Sequence, residues 1–395
     1  MHSGRLHAGI MLLAICIFVV SAPSNSAATW KMGLYSYGDQ VRATVSEDGA
    51  GKYTLIFGHG GCVARILDHA NSYADTLAGP FNGEETDRVL QTVLWGISDN
   101  ANVGTGYPTR WNVNQAGTFE NLPAETVSRH VVQDQRLEVY SVNGRQWYQH
   151  LDDDYQGSQP VSQYTRYTCD ADGVLSVRTI TRIPRITVTG REQASFRAYI
   201  EHWSAFKNTS GSDGFNAVAT RASADGVPNW WYTTAEIKEY AGALPDYPNW
   251  PLSNSKLDGY AFTFNTLGAT NHMVAAMVFG NDTVYRPASR ARSRAVLNFK
   301  HWLAPNHNPG IGILPGIHLD QALPGTLVDF EYKLILRPGS SAEFMTRITE
   351  AVDHVIRPRI YEPDEAVPAE LKPVKEKLNQ IAEQARGASD SNAAL

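Results

Sequence analysis

The strongest constraint on the fold is a two-residue alternation of apolar and charged side chains late in the chain. In the segment TLVDFEYKLILRPG, residues 326–339, one parity holds five apolar residues and the other holds all four charged residues. Successive residues of a β-strand lie on opposite faces of a sheet, so the pattern predicts a half-buried strand that ends at Pro-Gly. The apolar positions are Val328, Phe330, Tyr332, Leu334 and Leu336, and the charged positions are Asp329, Glu331, Lys333 and Arg337.

Similar strand patterns recur along most of the chain. Turn-forming sequences such as DADG, residues 170–173, separate them, and no linker-like run divides the region. The recurring strand patterns and the absence of a linker predict an all-β fold in one large domain, residues 29–360. The predicted strands are KYTLIFG (52–58), QRLEVYSV (135–142), GVLSVRTITRI (173–183), SFRAYIEHWSAF (195–206), HMVAAMVFG (272–280) and RAVLNFKHWL (294–303).

The two ends of the chain differ from this central domain. Residues 1–28 place Arg5 before an uncharged apolar core of about fifteen residues and then small residues, which is the order of a secretory signal peptide and is short of the about twenty residues of a membrane span. Cleavage after Ala28 predicts a secreted or periplasmic protein without a membrane span, and an uncleaved anchor is the alternative. Residues 361–395 predict a polar helix over 369–385 and a tail, either docked on the sheet or extended into solvent.

Charge and cysteine content exclude some functions. The net charge of −6 lacks the basic field that binding to a phosphate backbone requires, so nucleic acid is not an expected partner. The spacing of His301, His307 and His318 fits no compact metal motif, and no cofactor is expected. Cys62 and Cys169 remain after cleavage; they either form a disulfide in an oxidising compartment or are two small buried residues.

Several segments resemble one known fold family. The segments GGCVARILDHANSY and GPFNGEETDRVLQTVLWG, followed by YPTRWNVNQAG, resemble the start of galactose-mutarotase-like supersandwich proteins, and TNHMVAAMVFG and GTLVDFEYKLILRPG resemble their closing strands. The resemblance implies a large antiparallel β-supersandwich with a concave face for sugars. Members of the family include epimerases, accessory domains of glycoside hydrolases and parts of polysaccharide lyases. The matching residues are Arg88, Gln91, Asn112, Asn114, Gln115 and Gly117.

The segment RWNVNQAGTFEN, residues 110–121, concentrates side-chain amides beside an indole. An indole can stack on a sugar ring, and amides offer the paired donors and acceptors that match sugar hydroxyls. The alternative is a loop whose amides satisfy their own backbone. The candidate substrate-binding residues here are Arg110, Trp111, Asn112, Asn114 and Gln115.

A second aromatic segment, residues 228–250, interleaves tryptophan and tyrosine with proline and asparagine. Trp230 and Trp231 are candidate platforms for sugar rings. The alternative is a long excursion that is folded onto the sheet edge and anchored by the same rings.

Candidate proton-transfer residues lie in two further segments. YIEHWSAF predicts Glu201 and His202 on opposite faces of one strand, and a histidine there can act as general acid or base or can be structural. The segment QWYQHLDDDY adds Tyr148 and His150 as catalytic candidates. The acidic residues that follow them indicate a solvated turn or a calcium-binding loop. Arg166 and His301 complete the candidate substrate-binding set.

These residue types favour a carbohydrate-active enzyme that cleaves a polysaccharide or oligosaccharide. β-Elimination needs a group that neutralises the uronate carboxylate, such as Asn, Gln, Arg or His, and a Tyr or His for proton transfer, and these types dominate the candidates. Glycoside hydrolysis needs two facing carboxylates. A lyase is therefore slightly favoured over a hydrolase, with a non-catalytic glycan-binding protein and a sugar epimerase as further alternatives.

Overall fold

The computed structural model describes 20 separate segments of the chain, which hold every residue discussed as structure below. They are residues 28–37, 40–70, 72–75, 91–97, 108–112, 125–132, 136–143, 147–148, 160–185, 187–188, 191–192, 196–203, 217–222, 228–233, 257–266, 273–280, 316–338, 350–351, 354 and 359–393.

The first sheet is a meander in which five consecutive strands pair antiparallel in the order β1-β2-β3-β4-β5. A 3₁₀ turn, His59–Gly61, links the third strand to the fourth. The strands are β1 (Trp30–Tyr37), β2 (Gln40–Glu47), β3 (Ala50–Phe57), β4 (Val63–Asp68) and β5 (Ala74–Asp75).

The second sheet has five strands gathered from distant parts of the chain. Its order is β10-β7-β6-β15-β20, and every pair is antiparallel. Its strands are β6 (Gln91–Ile97), β7 (Pro108–Asn112), β10 (Trp147–Tyr148), β15 (Phe196–Trp203) and β20 (Gly316–Ala322).

The third sheet has ten strands in the order β17-β16-β18-β19-β21-β12-β11-β9-β8, with β22 paired to β21. A separate hairpin joins β13 (Thr187–Val188) to β14 (Arg191–Glu192). The strands of the third sheet are β8 (Glu125–Val132), β9 (Arg136–Asn143), β11 (Val161–Cys169), β12 (Leu175–Arg182), β16 (Ala217–Ala222), β17 (Pro228–Thr233), β18 (Leu257–Thr266), β19 (Met273–Gly280), β21 (Leu327–Pro338) and β22 (Arg359–Tyr361).

The all-β prediction is therefore confirmed, and six of the predicted strands are present as β3, β9, β12, β15, β19 and β21. The seventh, residues 294–303, lies outside the described residues. The predicted turn at 170–173 is also present: the Asp170 carboxylate accepts hydrogen bonds from the backbone amides of Asp172 and Val174, both at 2.9 Å, and Gly173 has a φ of +73°.

One apolar cluster joins all three sheets. It contains Met32 and Leu55 of the first sheet, Leu94 and Ile200 of the second, and Tyr167 of the third, all of them almost completely buried. The face of each sheet that contributes to this cluster is called the inner face below.

Two hydrogen bonds tie the inner face of the third sheet to the other sheets. The Tyr167 hydroxyl donates to the Gly61 carbonyl at 2.6 Å, and the Gln163 amide donates to the Thr92 hydroxyl at 3.3 Å. Burial raises the pKa of Tyr167 well above its usual value, so this phenol stays protonated and keeps donating.

Strand β21 keeps the predicted parity but is buried on both faces, which corrects the expectation of a half-buried strand. Asp329 is 0% exposed and Glu331 is 2% exposed. These carboxylates are tolerated because each has a cation: Arg178 forms a two-pronged ion pair with Asp329, and Lys333 lies 2.7 Å from Glu331. A single strand's alternation shows which residues are polar but not whether a neighbouring strand supplies their partners.

The C-terminal helix α1, Lys372–Ala393, packs on the outer face of the third sheet. The sequence leaves open whether the C-terminal segment is docked on the sheet or extended into solvent, and in the structure it is docked. The Ser162 hydroxyl donates to the Leu378 carbonyl at 3.0 Å, and the Arg182 guanidinium donates to the Asn379 side chain at 2.8 Å. The helix buries a stripe at helical spacing, Val374, Leu378, Ile381 and Ala382.

The helix also continues beyond the predicted boundary at residue 385, through most of the segment expected to be a tail. The sequence RGASDSNAA lacks proline, and a helix already held by packing can propagate through such residues even when their intrinsic propensity is modest.

Cys62 and Cys169 are not joined by a disulfide, so the disulfide alternative is not supported. Cys62 is buried beside Gly61, which accepts the Tyr167 hydrogen bond, and Cys169 lies two residues farther along β11. Two residues of a strand span about 6.6 Å, so Cys169 is displaced by about this length along β11 from the residue that contacts Gly61. The Cys169 thiol lies 3.6 Å from the Asp170 carbonyl oxygen and can donate a hydrogen bond to it.

Residues 1–27 lie outside the described residues, so the signal peptide and the secreted or periplasmic location stay predictions, as do the domain limits. Within the described part of the chain, no helix has the length and apolar character needed to cross a membrane.

We predict that Leu378→Ala lowers the free energy of unfolding by about 2–5 kcal/mol, because it empties a buried site between α1 and the third sheet. Urea denaturation measures the change. Gln380, an exposed residue of the same helix, provides the matched control: Gln380→Ala should change the free energy of unfolding by less than about 0.5 kcal/mol. Equal effects of the two changes would contradict the docking of the helix.

We also predict that alkylation of the denatured protein without reductant labels both Cys62 and Cys169, since neither is bonded to the other. Mass spectrometry of the digested protein reads out the labels. Labelling of both sites only after reduction would contradict the free-thiol state.

Candidate functional site

One row of residues crosses all five strands of the second sheet. Backbone pairing sets Trp147 opposite Arg110, Arg110 opposite Trp95, Trp95 opposite Tyr199 and Tyr199 opposite His318. Residues that are direct partners in antiparallel strands share a face of the sheet. At a strand spacing of about 4.8 Å, the row extends about 19 Å across the sheet.

A second row lies two residues farther along the same strands and therefore on the same face. It pairs Asn112 with Val93, Val93 with Glu201 and Glu201 with Gly316. We call this side of the second sheet, defined by the two rows, the Arg110 face.

The opposite side of the second sheet is the inner face. Leu94, Ala198 and Ile200 are each 0% exposed and belong to the core shared by the three sheets. Since they alternate with Val93, Tyr199 and Glu201 along β6 and β15, the Arg110 face is turned away from this core.

This alternation divides the candidate residues predicted from the sequence. Arg110, Asn112 and Glu201 belong to the Arg110 face. Trp111 shares a row with Leu94, His202 pairs with Thr92, and Tyr148 shares a row with Ala198, so these three belong to the inner face. Thr92 is itself buried and bonded to the third sheet.

The expected split of Glu201 and His202 between two faces is thus present. The second sheet does not bring His202, Tyr148 and Trp111 together with the Arg110 row, because an odd number of residues separates them along their strands. A catalytic role for His202 or Tyr148 at the Arg110 face does not follow from this arrangement.

The remaining candidates lie elsewhere. Trp230 and Trp231 are in β17, an edge strand of the third sheet, where Trp230 pairs with Ala219 and Trp231 falls at a register irregularity. Arg166 is in β11 on the outer face of the third sheet, because it alternates with Tyr167 of the inner face. Asn114, Gln115, His150 and His301 lie outside the described residues.

Sequence reasoning did not select Trp95, Trp147, Tyr199 or His318 as site residues. Each belongs to a short strand whose own alternation is visible, as in QTVLWGI and GIHLDQA. The information that joins them is the register between paired strands that are up to 119 residues apart in sequence, as for Tyr199 and His318, and a single sequence does not contain it.

The Arg110 face combines chemical groups suited to an acidic sugar. A guanidinium binds a carboxylate through two parallel hydrogen bonds, and indole and phenol rings can stack on the apolar face of a pyranose. Tyrosine and histidine can exchange protons with a substrate. In the part of the chain that the structure describes, no group of three or more His, Cys, Asp or Glu residues is arranged to hold a metal ion.

Comparison with known proteins gives little further information. No protein-family model matches the chain, and no curated protein matches its sequence. Among solved structures, the chain is similar to a galactose mutarotase-like protein from Clostridium acetobutylicum. The two are 12% identical, the match covers 79% of this chain and 99% of the other, and the TM-score is 0.36.

This loose match agrees with the resemblance seen in the sequence. At such a low identity and TM-score it carries no argument about activity, and the function is inferred from the residues of the site.

We predict that adjacent residues of β15 respond in opposite ways to substitution. Ile200→Ala should lower the free energy of unfolding by about 2–5 kcal/mol, because Ile200 lies in the core. Glu201→Gln should change it by less than about 0.5 kcal/mol, because its face is turned away from that core. Denaturant unfolding of both variants checks the assignment, and a large loss for Glu201→Gln with none for Ile200→Ala would contradict it.

Proposed function

We propose that this protein is a carbohydrate-active enzyme that cleaves an acidic polysaccharide by β-elimination on the Arg110 face. The observation that carries the proposal is the single row in which Arg110 lies between Trp147 and Trp95 and is followed by Tyr199 and His318. It combines a cation for a carboxylate, rings for sugars and two groups for proton transfer.

In the proposed reaction, Arg110 and Asn112 bind the uronate carboxylate. They lie two residues apart on one strand and on one face, about 6.6 Å from each other along the backbone. Neutralising the carboxylate stabilises the negative charge that develops when the neighbouring C5 proton is removed. The same pair fixes the position of the sugar ring, so that C5 is held near the proton-transfer groups.

Proton transfer is assigned to Tyr199 and His318, which are direct partners on adjacent strands. The imidazole of His318 accepts the C5 proton as the general base. The C4–O bond then breaks, a C4–C5 double bond forms, and the leaving oxygen takes a proton from the Tyr199 hydroxyl. The C5 proton held by His318 returns through solvent and restores the neutral form of both groups.

The two tryptophans explain how a polymer could be held across the row. Trp147 and Trp95 flank Arg110 on neighbouring strands, so rings on either side of the bound uronate can each meet an indole. Arg197, which pairs with Ile97, adds a second arginine to this face. Its carboxylates are Glu201 and, at the register irregularity beside Arg197, Asp320 of β20.

Glycoside hydrolysis on the same face is the weaker alternative. It needs two carboxyl groups across the scissile bond. Glu201 is the one carboxylate of the regularly paired positions among the described strands, and Asp320 lies at the register irregularity between β15 and β20, with no paired position across from Glu201. A non-catalytic glycan-binding protein would use the same arginine and tryptophans, and it is distinguished by the absence of product. The predicted export of the chain suits a polymeric substrate that is met outside the cytoplasm.

A polysaccharide panel tests the reaction class. Purified protein is incubated with acidic and neutral polysaccharides, and the absorbance of unsaturated uronates and the number of reducing ends are measured. We expect both to rise together with an acidic polymer. New ends without the absorbance would indicate a hydrolase, and retention on a glycan without new ends would indicate a binding protein. If no glycan is cleaved or retained, the carbohydrate assignment is overturned.

We predict that Arg110→Gln lowers kcat/KM on the cleaved polymer by about 10²–10³-fold, because it removes the cation that stabilises the developing charge. Arg386→Gln is the matched control, since it removes an equal charge from the exposed side of α1 and should leave kcat/KM unchanged. His318→Ala should lower kcat by about 10²–10⁴-fold with a smaller change in KM. Full activity of the Arg110→Gln variant would exclude the Arg110 face as the site.

A further inference from the structure

The outer face of the third sheet carries a second arginine-containing row, separate from the Arg110 face. Backbone pairing sets Glu138 opposite Arg166, Arg166 opposite Arg178 and Arg178 opposite Glu331. Two arginines are therefore direct partners on neighbouring strands. Like charges in this position repel each other and destabilise a sheet unless counter-charges are present.

The carboxylate beside Arg166 is already engaged. Glu138 accepts a hydrogen bond from the Tyr164 hydroxyl at 2.8 Å and lies 3.2 Å from the Arg136 guanidinium. Burial and this contact with Glu138 raise the pKa of Tyr164, so the phenol remains a donor.

The carboxylates beside Arg178 are engaged as well. Asp329 receives two hydrogen bonds from Arg178, from Nε at 2.8 Å and from Nη2 at 2.6 Å. Glu331 is held through Oε1 by the Ser176 hydroxyl and by Lys333, which also donates to Ser176 at 2.9 Å, whereas its buried Oε2 makes no hydrogen bond to a described residue.

Arg166 makes no ion pair with the Glu138 that lies opposite it. Among the described residues it has no hydrogen bond and no ion pair, although its side chain is half-buried. Cations outnumber carboxylates in the row and among its direct neighbours. The cations are Arg136, Arg166, Arg178, Lys333 and Arg359, and the carboxylates are Glu138, Asp329 and Glu331.

We propose that Arg166 and Arg178 bind an oxyanion, either the carboxylate of a sugar acid or an inorganic oxyanion such as phosphate. The planar guanidinium of Arg166 offers a full set of N–H donors, and Arg178 adds Nη1, which makes no hydrogen bond to a described residue. Such a ligand supplies the missing negative charge between the two arginines.

Neighbouring elements shape one side of this site. Tyr164 and Tyr140 form an aromatic pair with ring centroids 5.0 Å apart, and both belong to the apolar cluster under α1. The row of Ser162 and Arg182, one step farther along the strands, contacts the helix itself. The site therefore borders the docked helix, and it does not depend on the proposed reaction at the Arg110 face.

The experiment uses the full mature chain with Arg110→Gln in all samples, so that the proposed substrate face does not contribute to binding. Arginine side-chain Nε–Hε resonances are followed by NMR in titrations with inorganic phosphate and, separately, with galacturonate. The Arg166 signal is assigned by its loss in an added Arg166→Gln change. The signal of Arg386 serves as an internal control on the surface of α1.

We expect a saturable shift of the Arg166 resonance with at least one of the two anions and none for Arg386. Calorimetry should show that Arg166→Gln weakens binding of that anion by about tenfold or more, that Arg166→Lys weakens it less, and that Arg386→Gln leaves it unchanged. A response to phosphate identifies a general oxyanion site, and a response to galacturonate alone identifies a sugar-acid site.

Absence of a saturable shift with both anions would overturn the proposal. Equal binding by the Arg166→Gln variant would overturn it too. Far-ultraviolet circular dichroism of that variant shows whether it is folded, and Arg166→Lys, which keeps the charge, provides the test if Arg166→Gln fails to fold.

Discussion

The shared apolar core holds the three sheets together and determines how their strands pair. Each of the three sheets places one face in a single cluster, and the third sheet is fastened to the others by the Tyr167–Gly61 and Gln163–Thr92 hydrogen bonds. Burial of that much apolar surface fixes the register of every strand that contributes to it, because a slip by one residue would move core residues to the other face.

The register in turn determines which polar residues meet. Once Leu94 and Ile200 are in the core, their neighbours Trp95 and Tyr199 must share the opposite face, and pairing with β7 and β20 adds Arg110 and His318. The outer face of the third sheet follows the same logic. There the buried carboxylates of β21 are stabilised by Arg178 of the neighbouring β12 and by Lys333 of β21 itself.

The sequence predicts the elements of this fold better than the site. Alternation within SFRAYIEHWSAF is enough to separate Glu201 from His202, and alternation in TLVDFEYKLILRPG is enough to identify β21. Neither pattern tells which face is the core, so His202 reads as a catalytic candidate although it shares the parity of Ile200. The sequence also does not show that Arg166 is separate from the Arg110 row, because that depends on which sheet its strand joins.

Intrinsic tryptophan fluorescence during titration with an acidic oligosaccharide tests whether the Arg110 face is the substrate site. Nine tryptophans contribute to the signal, and Trp30 is a buried core residue that serves as the control. We expect a saturable change in the wild type and in Trp30→Phe, and its loss when Trp95 and Trp147 are both changed to Phe. An undiminished change in that double variant would contradict this assignment.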